Sequence, residues 1–496
     1  MVTPFPSSDW LHWRALASPK QVALYVGDAQ WTYGELDSLV NQMANWFLAQ
    51  DLPQNRRVGI LMQNSPEYVL LIYAAARLSL MLVTLNTRLT SAEIEWQIEF
   101  TECALVLVDI QNKDKVFDKI AITVPTVSRF AQLEIQNYLQ PESFKNLGAN
   151  SLQAIVFTSG TTGRPKAVPI TFDQHFHSAM GSAYRLGVQG NDVWLSVLPL
   201  YHVGGMAVIF RSTLYGTAID LHPRFDLMEI NHALDAKGVT MISVVPTMLY
   251  RMIESRERWP ESLRLILVGG AAASPELVAA AGSIATNEHP LISTTYGMTE
   301  SASQFVTQTP ADTTKKPASV GKPLLFNQLK IVDELGHEQP INEYGEIWVK
   351  GPVLMSGYLN NPKANAERFV DGWFCTGDIG MLDADGDLFV IQRRSDLIIS
   401  GGENVYPAEV EAALRQHPAV KEACVVGVPN PEWGEIVSAM VELVPNNKLG
   451  EAELIAFARE RLAAYKQPRR IVFAKQLPQT ASGKIERKRV QEMMEH

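Results

Sequence analysis

Phosphate chemistry is the first thing the residue types suggest. Thr158-Ser159-Gly160-Thr161-Thr162-Gly163-Arg164-Pro165-Lys166 directly follows the apolar run Ala154–Phe157. Two glycines permit tight turns that bring backbone N–H groups close to phosphate oxygens. The hydroxyls of Thr158, Ser159, Thr161 and Thr162 add donors, and Arg164 and Lys166 add positive charge. A polar surface loop after a buried strand is the plainer reading, and the density of donors argues against it. The stretch is not a Walker A loop, which needs Gly-Lys-Ser/Thr opening a helix. Here Pro165 precedes Lys166 and Ala167 follows it. A kinase or ATPase of that class is therefore disfavoured.

Five further segments follow in chain order: Gly269-Gly270-Ala271, Tyr296-Gly297-Met298-Thr299-Glu300, Thr376-Gly377-Asp378, Ser400-Gly401-Gly402-Glu403-Asn404-Val405-Tyr406-Pro407, and Gln479-Thr480-Ala481-Ser482-Gly483-Lys484. Taken singly each is ordinary: a strand-end turn, a surface acid, a Gly turn, a solvated lysine. Together with the first loop, the series resembles the adenylate-forming superfamily of acyl-CoA synthetases, luciferases and peptide-synthetase adenylation domains.

The resemblance implies a large N-terminal α/β domain of several subdomains, residues 1–394, and a smaller mobile α+β domain, residues 395–496. It implies that adenine packs on Gly269, Gly270 and Ala271 and stacks on Tyr296 beside Gly297. Thr299 would meet the α-phosphate and Glu300 would hold Mg²⁺, a metal that takes oxygen ligands and few protein carboxylates. Asp378 would accept both ribose hydroxyls, Arg393 would lie near ribose and phosphate, and Thr158 to Lys166 would hold the pyrophosphate. Gly401 and Gly402 would let the arm of coenzyme A pass close to the backbone. Lys484 would serve the first half-reaction, attack of a carboxylate on ATP, then withdraw for thiol attack as the small domain turns at Ser395. Two departures stand out: Ala167 where relatives have Gly, and Ser395 where many have Asp or Lys.

The acid is less legible. Pro199-Leu200-Tyr201-His202-Val203-Gly204-Gly205 resembles the segment that puts an aromatic or histidine at the acyl-pocket mouth, which makes His202 a catalytic-site and substrate-wall candidate. The stretches Thr171–Asp226, Ser243–Met252 and Arg393–Glu411 look most like the o-succinylbenzoate–CoA ligases of menaquinone or phylloquinone biosynthesis. That acid carries a second carboxylate, and burying it requires a cation or several donors. Arg211 and Arg224 are the cationic candidates, with Ser301, Ser303 and Gln304 as donors. His175 and His177 sit two apart on a predicted helix, face different ways and make no metal pair. A ligase for a fatty or aryl acid, an adenylation enzyme that loads a carrier protein, and a non-catalytic nucleotide binder are the alternatives. Retention of Glu300, Asp378 and Lys484 argues against the last.

These residues need a scaffold, and the chain supplies one. At 496 residues it exceeds a single ordinary core. Apolar runs at Arg57–Met62, Ala104–Asp109, Ala154–Thr158, Thr240–Val245 and Leu263–Val268 alternate with helical patterns such as Pro66–Leu78 and Phe172–Leu186, which predicts α/β sheets covered by helices. Thr171 and Gln174 fit a capping box. From Tyr406 the order reads helix, strand, strand, helix, strand, and the domain boundary is expected at Arg394–Leu397. The stretch Tyr68–Leu85 is the most membrane-like, but Arg77, Ser79 and Thr84 interrupt it, so a buried helix and strand are expected, not a span. A formal charge of −10 argues against a broad nucleic-acid footprint. Cys103, Cys375 and Cys424 show no zinc spacing, and the start lacks a secretory signal, so a cytoplasmic setting is expected. A homo-oligomer stays open.

Overall fold

The structure is a computed structural model, and it describes residues 9–50, 57–89, 91–116, 120–130, 151–158, 165–285, 290–393, 398–400, 403–405, 407–430, 433–462, 464–480 and 484–495. Several helices begin where the sequence supplies acceptors for the unpaired N–H groups of a first turn. Thr171 forms the expected capping box: the Gln174 N–H donates to Thr171 Oγ1 at 3.2 Å, and the Thr171 N–H to Gln174 Oε1 at 2.6 Å. The helix it opens runs Phe172–Leu186, as the spacing predicts. Ser65 caps Pro66–Arg77, a helix buried from Tyr68 onward, and the strand Met81–Thr84 follows it. The membrane-like stretch is thus interior helix and strand. Among the described residues no helix is long and apolar enough to cross a membrane.

Two compact units divide the chain, one of residues 1–329, 349–374 and 386–388, the other of residues 330–348, 375–385 and 389–496. The boundary expected at 394–397 lies outside the described residues.

The first unit carries a nine-stranded sheet and a six-stranded sheet. In the larger sheet Met241–Val244, Leu265–Val268 and Ile292–Met298 lie side by side and parallel. Short strands rich in buried residues suit a parallel sheet whose faces are covered by helices. Leu195, Ile242, Ile266 and Ile292 from four strands pack with Leu249, Met252 and Trp259, all buried, each contributing roughly 1.5–3 kcal/mol of burial. In the smaller sheet Leu152–Thr158 returns as Lys166–Thr171 in an antiparallel pair. The mixed α/β class is as the sequence predicts.

Within the second unit the order Pro407–Arg415, Val420–Asn430, Gly434–Leu443, Glu451–Arg459 and Arg470–Ala474 matches the predicted helix, strand, strand, helix, strand. Two parts go beyond it: the strand pair Ile398–Ser400 and Glu403–Val405, and the helix Arg487–Glu495. Val490 and Met494 on that helix pack on Cys424, Val426 and Met440. All three cysteines are buried and unbridged.

Candidate active site

The residues expected to meet adenine are brought together by strand pairing. Val268 pairs with Thr294 on the neighbouring parallel strand, which places Gly269-Gly270 beside Thr295 and Tyr296 at the carboxyl ends of both strands. Such strand ends are where ligands bind in open α/β sheets. A Cβ on Gly269 would stand 2.6 Å from Thr295 Cγ2, and Gly270 has φ +77°, so neither position accepts a side chain at ease. Gly297 is stricter: a Cβ there would lie 1.7 Å from the Ser303 carbonyl oxygen. Pairing of Gly297 with Gln304 and of Met298 with Ser303, after a bulge at Tyr296/Gly297, sets up the tight turn through Thr299. Ala271 is exposed.

Glu300 follows in that turn. Its Oε1 accepts a hydrogen bond from Tyr358 Oη at 2.6 Å, and no described residue hydrogen-bonds its Oε2. Lys166 Nζ stands 4.8 Å from the centre of the same tyrosine ring. Burial and the neighbouring Arg368 hold this ammonium below the usual lysine range, while Glu300 and Glu367 pull it back up. A carboxylate with one oxygen anchored and the other available fits magnesium, which takes few protein oxygens and leaves positions for phosphate. Tyr358 was not singled out in the sequence. Its partner lies 58 residues away, and only the preceding glycine, Gly357 at φ +150°, hints at a constrained backbone.

Of the phosphate loop, Thr158 and Lys166 are described and close its two strands in register, while Ser159, Gly160, Thr161, Thr162, Gly163 and Arg164 lie outside the described residues. Ala167 is strand residue and core: it is buried against the sheet interior and lies outside the positive-φ positions. The departure from glycine is accommodated because the backbone is extended there.

On the acid side the structure sorts the candidates. Arg211 lies on the helix Val203–Tyr215 and is only 2% exposed. Its Nη2 donates to Ser178 Oγ at 3.0 Å, and its Nε has no partner among the described residues. No described carboxylate lies within ion-pair distance of it. Burial pulls the guanidinium below its usual range, and Tyr215 opposes that pull. Beside it His175 is wholly buried, and burial first, then Arg211, pushes its imidazole down to about 3. The ring is therefore neutral, and its Nε2 donates to Gln153 Oε1 at 3.1 Å. Gln304 is buried with both amide atoms unpartnered among the described residues.

Ser301 is wholly buried, and its hydroxyl donates to the Met298 and Ser303 carbonyls while accepting the Met298 N–H, so it holds the turn and has no donor to offer a substrate. Arg224 is exposed in the turn between Ala218–Leu221 and Leu227–Ala236, away from the buried class to which Arg211 belongs. His202 is exposed at the cap of the Val203–Tyr215 helix, its ring 4.7 Å from that of Tyr201. Gly205 makes that helix entry possible, since a Cβ would lie 2.4 Å from the Pro199 carbonyl oxygen. Ser303 sits at φ +111° with its side chain partly exposed.

In the second unit Asp378 is buried, its N–H donating to Thr376 Oγ1 at 3.0 Å. Thr376 Oγ1 in turn donates to the Ile347 carbonyl at 2.7 Å. Arg393 ends the strand Leu388–Arg393, and Ser395, Gly401 and Gly402 lie outside the described residues. Lys484 is exposed, and its backbone pairs with Thr480. The Thr480 N–H donates to the Lys484 carbonyl at 2.7 Å, the Lys484 N–H to Thr480 Oγ1 at 3.2 Å, and Gln479 bridges Ile485.

With this geometry in place, comparison with known proteins is specific. The family described as AMP-binding enzyme matches residues 11–359, and its C-terminal domain matches residues 409–484. The 2-succinylbenzoate–CoA ligase of Bacillus pumilus is 41% identical over 483 residues, 97% of each chain. An o-succinylbenzoate CoA synthetase from Bacillus subtilis, solved with the acyl-adenylate intermediate, superimposes with a TM-score of 0.89 at 38% identity, covering 97% of this chain and 98% of that one. The same enzyme solved with ATP and magnesium gives a TM-score of 0.86 at the same identity and coverage.

Proposed function

Because this chain belongs to the AMP-binding enzyme family, we propose that it is an acid–thiol ligase joining 2-succinylbenzoate to coenzyme A with ATP. The acid is carried by one observation: Arg211 is a buried cation with no described counter-charge. A buried cation lacking a partner is costly, and a substrate bringing a second carboxylate removes that cost. Ser178 and His175 make the surroundings polar enough to receive it. Arg211 and Gln304, with Ser303, are thus assigned to the acid, His202 to the pocket mouth, and Arg224 carries no role in this reading.

In the first half-reaction a substrate carboxylate oxygen attacks the α-phosphorus of ATP. A new P–O bond forms, the bond to the bridging oxygen breaks, and pyrophosphate leaves with the electron pair. Charge spreads over phosphoryl oxygens, so the protein's contribution is position and electrostatics. Tyr296 stacks on adenine over Gly269–Ala271, with Gly297 giving the turn its room. Asp378 takes the ribose hydroxyls, Arg393 lies by ribose and phosphate, and Thr299 meets the α-phosphate. Thr158 and Lys166, with Ser159, Gly160, Thr161, Thr162 and Gly163, hold the leaving group. Bound on Glu300, magnesium would neutralise charge on the phosphates. Lys484 steadies the carboxylate and α-phosphate. In the second half-reaction the thiol gives up its proton to solvent as its sulfur bonds to the acyl carbon, the acyl–phosphate bond breaks and AMP departs with the electron pair, with Gly401 and Gly402 lining the thiol's approach.

The same reading divides the chain functionally at 394/395, with a hinge at Ser395, and places the enzyme in the cytoplasm, its thioester serving menaquinone or phylloquinone synthesis. The test is pyrophosphate release across a panel of acids, with and without coenzyme A. Release is expected to favour 2-succinylbenzoate strongly over benzoate and fatty acids. Equal rates for all three would sink the assignment of the acid while leaving the ligase class intact.

A further inference from the structure

We infer that Tyr358 is a positioning residue for the first half-reaction, one side chain that sets both the metal carboxylate and the pyrophosphate lysine. The inference rests on the assignment of Glu300 to magnesium given above. Tyr358 is 5% exposed and held at both ends. Asn365 grips its backbone, accepting the Tyr358 N–H on Oδ1 at 2.7 Å and donating from Nδ2 to the Tyr358 carbonyl at 3.0 Å. Asn365 in turn is fixed within the helix Pro362–Arg368, whose cap Asn361 accepts the Ala364 N–H. Gly357 admits this clasp, since a Cβ there would press within 3.1 Å of the Asn365 amide. At the other end Tyr358 Oη donates to Glu300 Oε1 at 2.6 Å. Between the two ends its ring face lies under Lys166 Nζ.

The physical consequence has two parts. A glutamate that ligates a metal through one oxygen must hold its rotamer, and freezing that flexible side chain opposes binding. The tyrosine hydroxyl fixes the rotamer in advance and leaves Oε2 for the ion, as partners beyond the ligands themselves do in metal sites. The ring's negative face steadies the Lys166 ammonium, offsetting the burial and the Arg368 charge that push it toward neutrality. Hydroxyl and ring are therefore separable by substitution.

The experiment measures Mn²⁺ affinity by electron paramagnetic resonance in the presence of a non-cleavable α,β-methylene analogue of ATP, with pyrophosphate affinity and metal-free AMP affinity alongside. Tyr358→Phe is expected to weaken Mn²⁺ about tenfold while pyrophosphate and AMP bind as before, because the ring is retained. Tyr358→Leu is expected to weaken both Mn²⁺ and pyrophosphate, again sparing AMP. Wild-type Mn²⁺ affinity in Tyr358→Phe, with weakened affinity in Glu300→Gln, would overturn the inference alone. Wild-type affinity in Glu300→Gln as well would overturn the metal assignment beneath it. Parallel loss of AMP binding in Tyr358→Phe would show general disorder of the site and would also overturn it.

Discussion

Among the described residues, Arg211 keeps a guanidinium in the interior with one serine hydroxyl as its hydrogen-bond partner. Desolvating such a charge costs several kcal/mol, and the folded protein bears that cost until an anion arrives. Two opposite effects of Arg211→Met follow. The KM for 2-succinylbenzoate is expected to rise about a hundredfold, because a buried charge pair loses one member, while the melting temperature rises. Steady-state kinetics and a thermal melt check both, and an unchanged KM would remove Arg211 from the acid site. The sequence named Arg211 and Arg224 equally, since each is a cation in the right stretch. What separates them is burial, which follows from how the Val203–Tyr215 helix packs on Phe172–Leu186, and spacing alone does not reveal that.

At the level of elements, the local rules were legible and the distant ones were not. Thr171 and Gln174 announce their helix because both halves of the capping box lie within one turn. The glycines expected to meet the nucleotide were equally readable as tight backbone positions, and the close approach of Gly297 to the Ser303 carbonyl gives the reason for one of them. Gly297→Ala must open that turn, displacing Tyr296 and Thr299 together. It is expected to lower stability by about 2–4 kcal/mol and to abolish AMP binding, as urea unfolding and calorimetry would measure; a stable variant that still binds AMP would refute the steric account. The use of Ser301 to staple the same turn was invisible, because a hydroxyl beside a candidate pocket reads as a donor until its partners are seen. The helix Arg487–Glu495 escaped for a different reason. It is mostly charged and buries only Val490 and Met494, one turn apart, too few to mark a face.

At the scale of the whole molecule, the proposed mechanism draws on residues of both units and gives Lys484 to one half-reaction only. Lys484 belongs to the second unit, its backbone paired with Thr480, and its assignment is to adenylation. Lys484→Ala is expected to cut pyrophosphate release by two to three orders of magnitude, about 3–4 kcal/mol of lost electrostatic stabilisation. Conversion of supplied acyl-adenylate to thioester should largely persist. Rapid-quench assays of each half-reaction decide it, and equal loss in both would dissolve the division of labour. The cysteines bear on the second half-reaction in another way. Each of the three is buried, and burial pushes the Cys103 thiol up to about 11. Thiol–disulfide exchange requires an accessible thiolate. A catalyst whose own sulfurs are sequestered can handle a free mercaptan at every turnover, and meet its oxidised dimer between turnovers, without becoming covalently trapped by its own reagent.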